Sequence, residues 1–223
     1  MDNPHFGHRK RVRDEFLSSG LESFSDVRAL EMLLFYGIER IDVNPLAHSL
    51  LDHFGSLKNV FSATIDELKL VKGISDYTAC LIRLVGDLNR KAEIDAVSHS
   101  VFTSVEDAVK VITPYFSFSR DEKFYIFLLN SENVLLRGVC ISQGVVDSVN
   151  IDIRKIVETA LSAKSSSVIL SHNHPSGNEY PSEDDIFVTS KIQDALALLR
   201  IRVLDHIIIG DNYYSFAQHN LLS

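Results

Sequence analysis

The segment Ser167-Val168-Ile169-Leu170-Ser171 constrains the fold more than any other, because its centre is apolar at every position rather than at alternate ones. A strand wetted on one face alternates, whereas a continuously apolar strand is buried on both, which requires helices above and below the sheet. Flanking segments supply them. About Asp152 to Ala163 reads as an amphipathic helix, and about Ser182 to Leu199 as another. Runs of β type at Phe124 to Leu129, Val134 to Ile141, Val145 to Val149, Val203 to Ile209 and Tyr213 to Phe216 complete a mixed sheet. Ser104-Val105-Glu106-Asp107 reads as a helix start leading to Phe116. Residues 101–223 are therefore expected to form an α/β domain.

The first part of the chain has a different period. From Arg9 to about Ala92 apolar residues recur at helical spacing, as at Leu30, Met32, Leu33, Leu34 and then Leu46, Leu50, Leu51. Short helices follow from this. Asn44-Pro45 is expected to cap and open one that Gly55 ends, and Thr64 with Glu67 reads as a capping box. The periodicity stops between Ala92 and Val101, the expected linker, so residues 1–95 form a helical domain and the whole chain is a two-domain α+β protein.

Within the helical part, Leu70-Val71-Lys72-Gly73-Ile74-Ser75-Asp76-Tyr77-Thr78-Ala79 resembles a helix-hairpin-helix. Such a turn offers unpartnered backbone N–H groups to a DNA phosphate. Ser75 stands where the usual hairpin has its second glycine, so either the turn is distorted or phosphate binding is lost.

Composition narrows the function classes. A formal charge of −8 argues against a chain that binds nucleic acid throughout, and leaves His8-Arg9-Lys10-Arg11-Val12-Arg13 as the local basic run, more simply a solvated helix face. No stretch approaches the roughly 18 apolar residues of a membrane span. Met1 to Arg13 is not signal-like, and the expected compartment is the cytoplasm. Cys80 and Cys140 are far apart on helix-like and strand-like stretches, so they suggest neither a disulfide nor a thiolate metal site and are expected to be core residues.

Chemistry concentrates just after the apolar strand. His172 and His174, at i and i+2, point to the same side of an extended segment, so both imidazoles can reach one ion at roughly 2 Å. Pro175 stops the strand. The loop Ser176-Gly177-Asn178-Glu179-Tyr180-Pro181 turns the chain back, and Ser182-Glu183-Asp184-Asp185 brings a carboxylate in the first helical turn as a third ligand. Three protein ligands leave the fourth tetrahedral position of a catalytic zinc site open to water. Nitrogen and oxygen donors without thiolate suit zinc, with iron, manganese or cobalt as substitutes.

His172-Asn173-His174-Pro175, six residues, Ser182, two residues and Asp185 resemble the JAMM (MPN/JAB) metalloprotease signature. The chain as a whole resembles the RadC family, from Gly7-His8-Arg9 through Asp205-His206 to Tyr214-Ser215-Phe216. The resemblance implies an N-terminal domain with a helix-hairpin-helix and a C-terminal JAB/MPN, cytidine-deaminase-like domain. It implies one zinc per chain on His172, His174 and Asp185, with Ser182 bonding the oxyanion of a tetrahedral intermediate. It also implies a proton-carrying glutamate at the start of the domain's first strand, where Glu122 stands in Asp121-Glu122-Lys123-Phe124-Tyr125. Related domains remove ubiquitin-like tags or hydrolyse small-molecule amides, so a protein, peptide or other amide is the expected substrate.

Each assignment has a plainer rival. Glu122 could simply solvate a strand end, and Glu158 is the second candidate for its role, though it reads as an exposed helix position. Capping alone explains a serine at Ser182. His206 in an apolar strand reads as a hydrogen-bonded core residue, Asn173 as structural on the opposite strand face, and Asp184 as a helix N-terminal charge. Glu179 and Tyr180 lie where substrate could touch them. The rival function is a DNA-associated accessory protein with a silent or structural metal site. A metal-dependent nuclease is disfavoured, because two clustered metals and more carboxylates are usual there. Exposed sheet edges are compatible with a homo-oligomer.

Overall fold

The computed structural model describes residues 7–39, 41–144 and 151–222. The chain divides between Asn89 and Arg90 into two compact units.

The first unit holds α1 (His8–Ser19), α2 (Asp26–Gly37), α3 (Asn44–Phe54), α4 (Leu57–Ser62), α5 (Ile65–Lys69) and most of α6 (Asp76–Ala96). Leu30, Leu34, Ala47, Leu50, Val60 and Ile82 form its core. Side-chain caps set the helix starts: Ser25 and Ser56 each accept from a backbone N–H three residues on, and Thr64 with Glu67 closes a reciprocal box. Asn44 departs from expectation. Val43 is the residue before α3, Asn44 and Pro45 are its first helical residues, and Asp42 Oδ1 accepts the Asn44 N–H at 3.0 Å. The proline ring suits the first turn, so the capping oxygen comes from further upstream.

Ser75 resolves the hairpin question locally. It is not among the residues with positive φ; Gly73 is, at 105°. Ser75 Oγ instead accepts the Thr78 N–H at 3.2 Å and so caps α6. The buried stripe of α6 is Thr78, Ala79, Ile82 and Gly86. Cys80 falls off that stripe and is exposed, which corrects its assignment to the core.

Part of the basic run has structural work. The Arg9 guanidinium donates to the carbonyls of Phe35 and Ile38, groups at the end of α2 that helix geometry leaves open, and to that of Ile41 in the segment that follows. His8 Nε2 lies 2.8 Å from Oε1 of the fully buried Glu31.

The second unit contains α7 (Val105–Phe116), β1 (Lys123–Leu129), β2 (Leu135–Gln143), α8 (Ile153–Ser162), β3 (Ser167–Asn173), α9 (Glu183–Ala197), β4 (Arg202–Ile209) and β5 (Tyr213–Ser215). The sheet order is β2-β1-β3-β4-β5, with β3 and β4 parallel and every other pair antiparallel. Phe124, Ile126, Val168 and Leu170 pack on one face with Ile156 of α8 and Ile192 of α9. Phe127, Ile169 and Ile207 pack on the other with Ile112 and Phe116 of α7. Alternate residues of β3 thus enter two cores, the physical reason for its unbroken apolar centre. The expected strand Val145 to Val149 falls outside the described residues. Among the described residues, no helix is long and apolar enough to cross a membrane.

Candidate metal centre

The site sits at the C-terminal end of β3. Phe124 of β1 pairs with His172 of β3, and antiparallel register continued two residues sets Glu122 opposite His174. His172 shares the face of Val168 and Leu170, under α9, and is fully buried. The His174 N–H donates to the Ile209 carbonyl at 2.9 Å, extending the β3–β4 pairing past the strand end. Gly177, at φ 86°, then turns the chain, and its carbonyl accepts the Asp211 N–H at 2.8 Å.

A capping box aims the third donor. Ser182 is the N-cap of α9 and Asp185 its third residue, and each side chain bonds the other's backbone. Asp185 Oδ2 accepts from the Ser182 N–H at 2.8 Å and its hydroxyl at 2.6 Å. Oδ1 is left facing His172 Nε2 at 3.2 Å.

The two Nε2 atoms of His172 and His174 are 2.9 Å apart, and Asp185 Oδ2 is 3.8 Å from that of His174. Glu122 Oε1 lies 4.0 Å from His174 Nε2. One ligand atom each from Glu122, His172 and His174 falls within 4.8 Å of the others. Ligand atoms of a tetrahedral zinc at roughly 2.0–2.1 Å stand about 3.4 Å apart, a spacing these separations bracket. The far nitrogen of each imidazole is occupied: His174 Nδ1 lies 2.6 Å from the Asn178 carbonyl, and His172 Nδ1 lies 2.8 Å from His206 Nε2. Donor set and second contacts both fit a divalent cation.

Electrostatics agree with that fit. Burial alone would raise the Asp185 carboxyl, but the His172 imidazole beside it and the Ser182 donors outweigh this and hold it well below the usual carboxylate range. Burial first, and the neighbouring His172 second, push His206 well below the ordinary imidazole range.

Other sequence candidates are placed as follows. Glu158 pairs with Arg154 at 2.8 Å on the exposed face of α8. Tyr180 is exposed, with its ring 5.9 Å from that of Tyr214. Asn173 faces away from the histidines and binds the backbone around Glu122. Sequence reasoning missed Thr189, whose hydroxyl lies 2.6 Å from His206 Nδ1. Its signal was a position one helical turn past Asp185. Asp205 was missed too: buried, it accepts from the backbone of His206 and Ala217 and from the Ser215 hydroxyl.

A mixed five-strand sheet between helices, carrying a His/His/carboxylate cluster at the end of its central strand, defines a JAB-type domain. The comparisons agree: residues 102–221 match the RadC-like JAB domain and residues 5–80 the UPF0758 N-terminal family. The chain belongs to the RadC-like JAB family. It is 33% identical to a UPF0758 protein of Fusobacterium nucleatum, covering 97% of each chain. It is 34% identical to one from Ruegeria pomeroyi, over 91% of each, and 32% identical to one from Rubrobacter xylanophilus, over 95% of this chain and 94% of the relative.

Proposed function

We propose that this chain is a zinc-dependent amide hydrolase of the JAMM type, acting on a peptide or isopeptide bond, with His172, His174 and Asp185 as metal ligands and Glu122 as proton carrier. The observation that carries this reading is the convergence of the two Nε2 atoms, 2.9 Å apart, with Asp185 Oδ1 3.2 Å from that of His172 and Glu122 Oε1 4.0 Å from that of His174. Zinc bound there would lower the pKa of a water molecule and polarise an amide carbonyl.

The chain's own groups supply the rest. The Asn178 carbonyl takes the Nδ1 hydrogen of His174 and leaves its Nε2 a lone-pair donor. Glu122 would accept a proton from the attacking water and deliver it to the amine as the C–N bond breaks. The Ser182 hydroxyl donates to Asp185 Oδ2, and an oxyanion on the substrate would compete for that hydrogen.

Metal analysis together with cleavage of a peptide library tests the reading. Wild type should carry one zinc per chain and cleave; Glu122→Gln should keep its zinc and lose roughly 10²–10⁴-fold in rate, the range of general acid–base catalysis. Protein that takes up no metal when zinc is supplied, or a fully active Glu122→Gln, overturns it.

A further inference from the structure

Behind His172 runs a chain of hydrogen bonds whose direction can be deduced atom by atom. The Thr189 hydroxyl lies 2.5 Å from the Asp185 carbonyl oxygen and 2.6 Å from His206 Nδ1. A carbonyl can only accept, so the one hydroxyl hydrogen points at Asp185 and the hydroxyl oxygen accepts from His206. His206 therefore bears its hydrogen on Nδ1. Fully buried between the phenyl rings of Phe124 and Phe216, where a second hydrogen would leave an unsolvated charge, the ring presents a lone pair at Nε2, 2.8 Å from His172 Nδ1. His172 must then donate from Nδ1, which leaves the lone pair on the Nε2 that faces His174 and Asp185.

We infer that Thr189 and His206 are positioning residues that lock His172 in the Nδ1–H tautomer, with Nε2 committed to a cation. The same Thr189 hydroxyl grips the backbone of Asp185, so one side chain ties the orientation of two candidate ligands together. His206 lies fully buried between Phe216, stacked at 4.7 Å, and Phe124, edge-on at 5.5 Å. No water is needed to complete the relay. His174 reaches the same tautomer by a different route, donating to a main-chain carbonyl near the surface, whereas His172 is sealed inside and needs a side-chain acceptor.

The inference rests on the metal reading for its purpose, but its proton positions are measurable without metal. In long-range proton–nitrogen correlation spectra of the metal-free, full-length protein at alkaline pH, His172 and His206 should each show a protonated Nδ1 and an unprotonated Nε2. Zinc affinity by competition with a chromophoric chelator should fall roughly 10–100-fold in His206→Leu and Thr189→Val, the usual effect of losing such an outer contact. His206→Gln should recover most of the loss, because its carbonyl accepts from His172 while its amide donates to Thr189; Thr189→Ser should recover it likewise. His172 protonated on Nε2 in the metal-free spectra, or His206→Leu and His206→Gln equally weak, overturns the relay in favour of a packing role. Should both His206 variants unfold by circular dichroism, the Thr189 pair decides. A wild type that binds no zinc defeats the metal reading, and the spectra still decide the tautomer.

Discussion

Asn173 straddles Glu122. Its Oδ1 accepts the Lys123 N–H at 2.9 Å and its Nδ2 donates to the Asp121 carbonyl at 3.1 Å, so the main chain on both sides of the glutamate is pinned to β3. The β1 ladder begins only at Lys123, and these two bonds extend its hold to the residue before. The middle residue of the His-Asn-His triplet thus positions the carboxylate that lies 4.0 Å from His174 Nε2.

Asn173→Ala should therefore retain zinc and lose activity by roughly 10–100-fold, the scale on which a misplacement of about 1 Å acts. Asn173→Asp should behave alike, since a carboxylate cannot donate to the Asp121 carbonyl. Metal content and kcat measured on the same preparations check this; full activity in both variants would remove Asn173 from the site.

Ser182 and Asp185 invite a separation of capping from metal positioning. Ser182→Ala removes an N-cap oxygen, at a cost of about 1 kcal/mol in unfolding free energy. It also strips the hydroxyl donor from Asp185 Oδ2, so zinc affinity should fall with stability, and Ser182→Thr should restore both. Denaturant unfolding and chelator competition give the two numbers. A stability loss with unchanged affinity would make Ser182 a cap alone.

The legibility of this chain in its sequence followed interaction range. The doubly buried strand, the two histidines on one side of it and the Ser182 cap are local patterns of period or spacing, and all could be read directly. The bonds of Asn173 to residues near 122, of His172 to His206, and of Thr189 to His206 join residues 50, 34 and 17 apart in sequence, set by strand register and by how α9 lies on the sheet. No local pattern encodes those. The Asn44 cap failed for a smaller reason: α3 already includes Asn44 as its first residue, and Asp42, two residues earlier, accepts the Asn44 N–H.

Asp205 should leave a signature in the acid range. Burial raises its carboxyl above the ordinary value of 3.8, only partly opposed by the donors of Ser215, Ala217 and His206. An acid whose folded pKa is raised holds its proton more tightly when folded, so it contributes most at low pH, and that contribution is lost as pH climbs from the unfolded to the folded value. Asp205→Asn should abolish this slope. It should also lower stability by about 1–3 kcal/mol, because its amide turns a donor toward groups that need an acceptor. Urea unfolding of both proteins across the acid range tests it; identical slopes would show that Asp205 does not titrate there.

Two glycines should separate the units in a functional assay. A Cβ on Gly86 of α6 would lie 2.6 Å from the Phe61 carbonyl oxygen. Alanine gains about 1 kcal/mol of helix propensity over glycine, but a clash with backbone cannot be relieved by a rotamer, so overpacking of about 1–3 kcal/mol wins. A Cβ on Gly210 would press on the Gly177 carbonyl oxygen and lie 2.9 Å from the Glu179 nitrogen, within the loop that follows His174. Gly86→Ala should thus lower the melting temperature of the helical unit with zinc affinity intact, whereas Gly210→Ala should weaken zinc binding by displacing His174. The pair is read by calorimetry and chelator competition. Loss of zinc affinity in Gly86→Ala would mean that zinc binding depends on the folding of the helical unit.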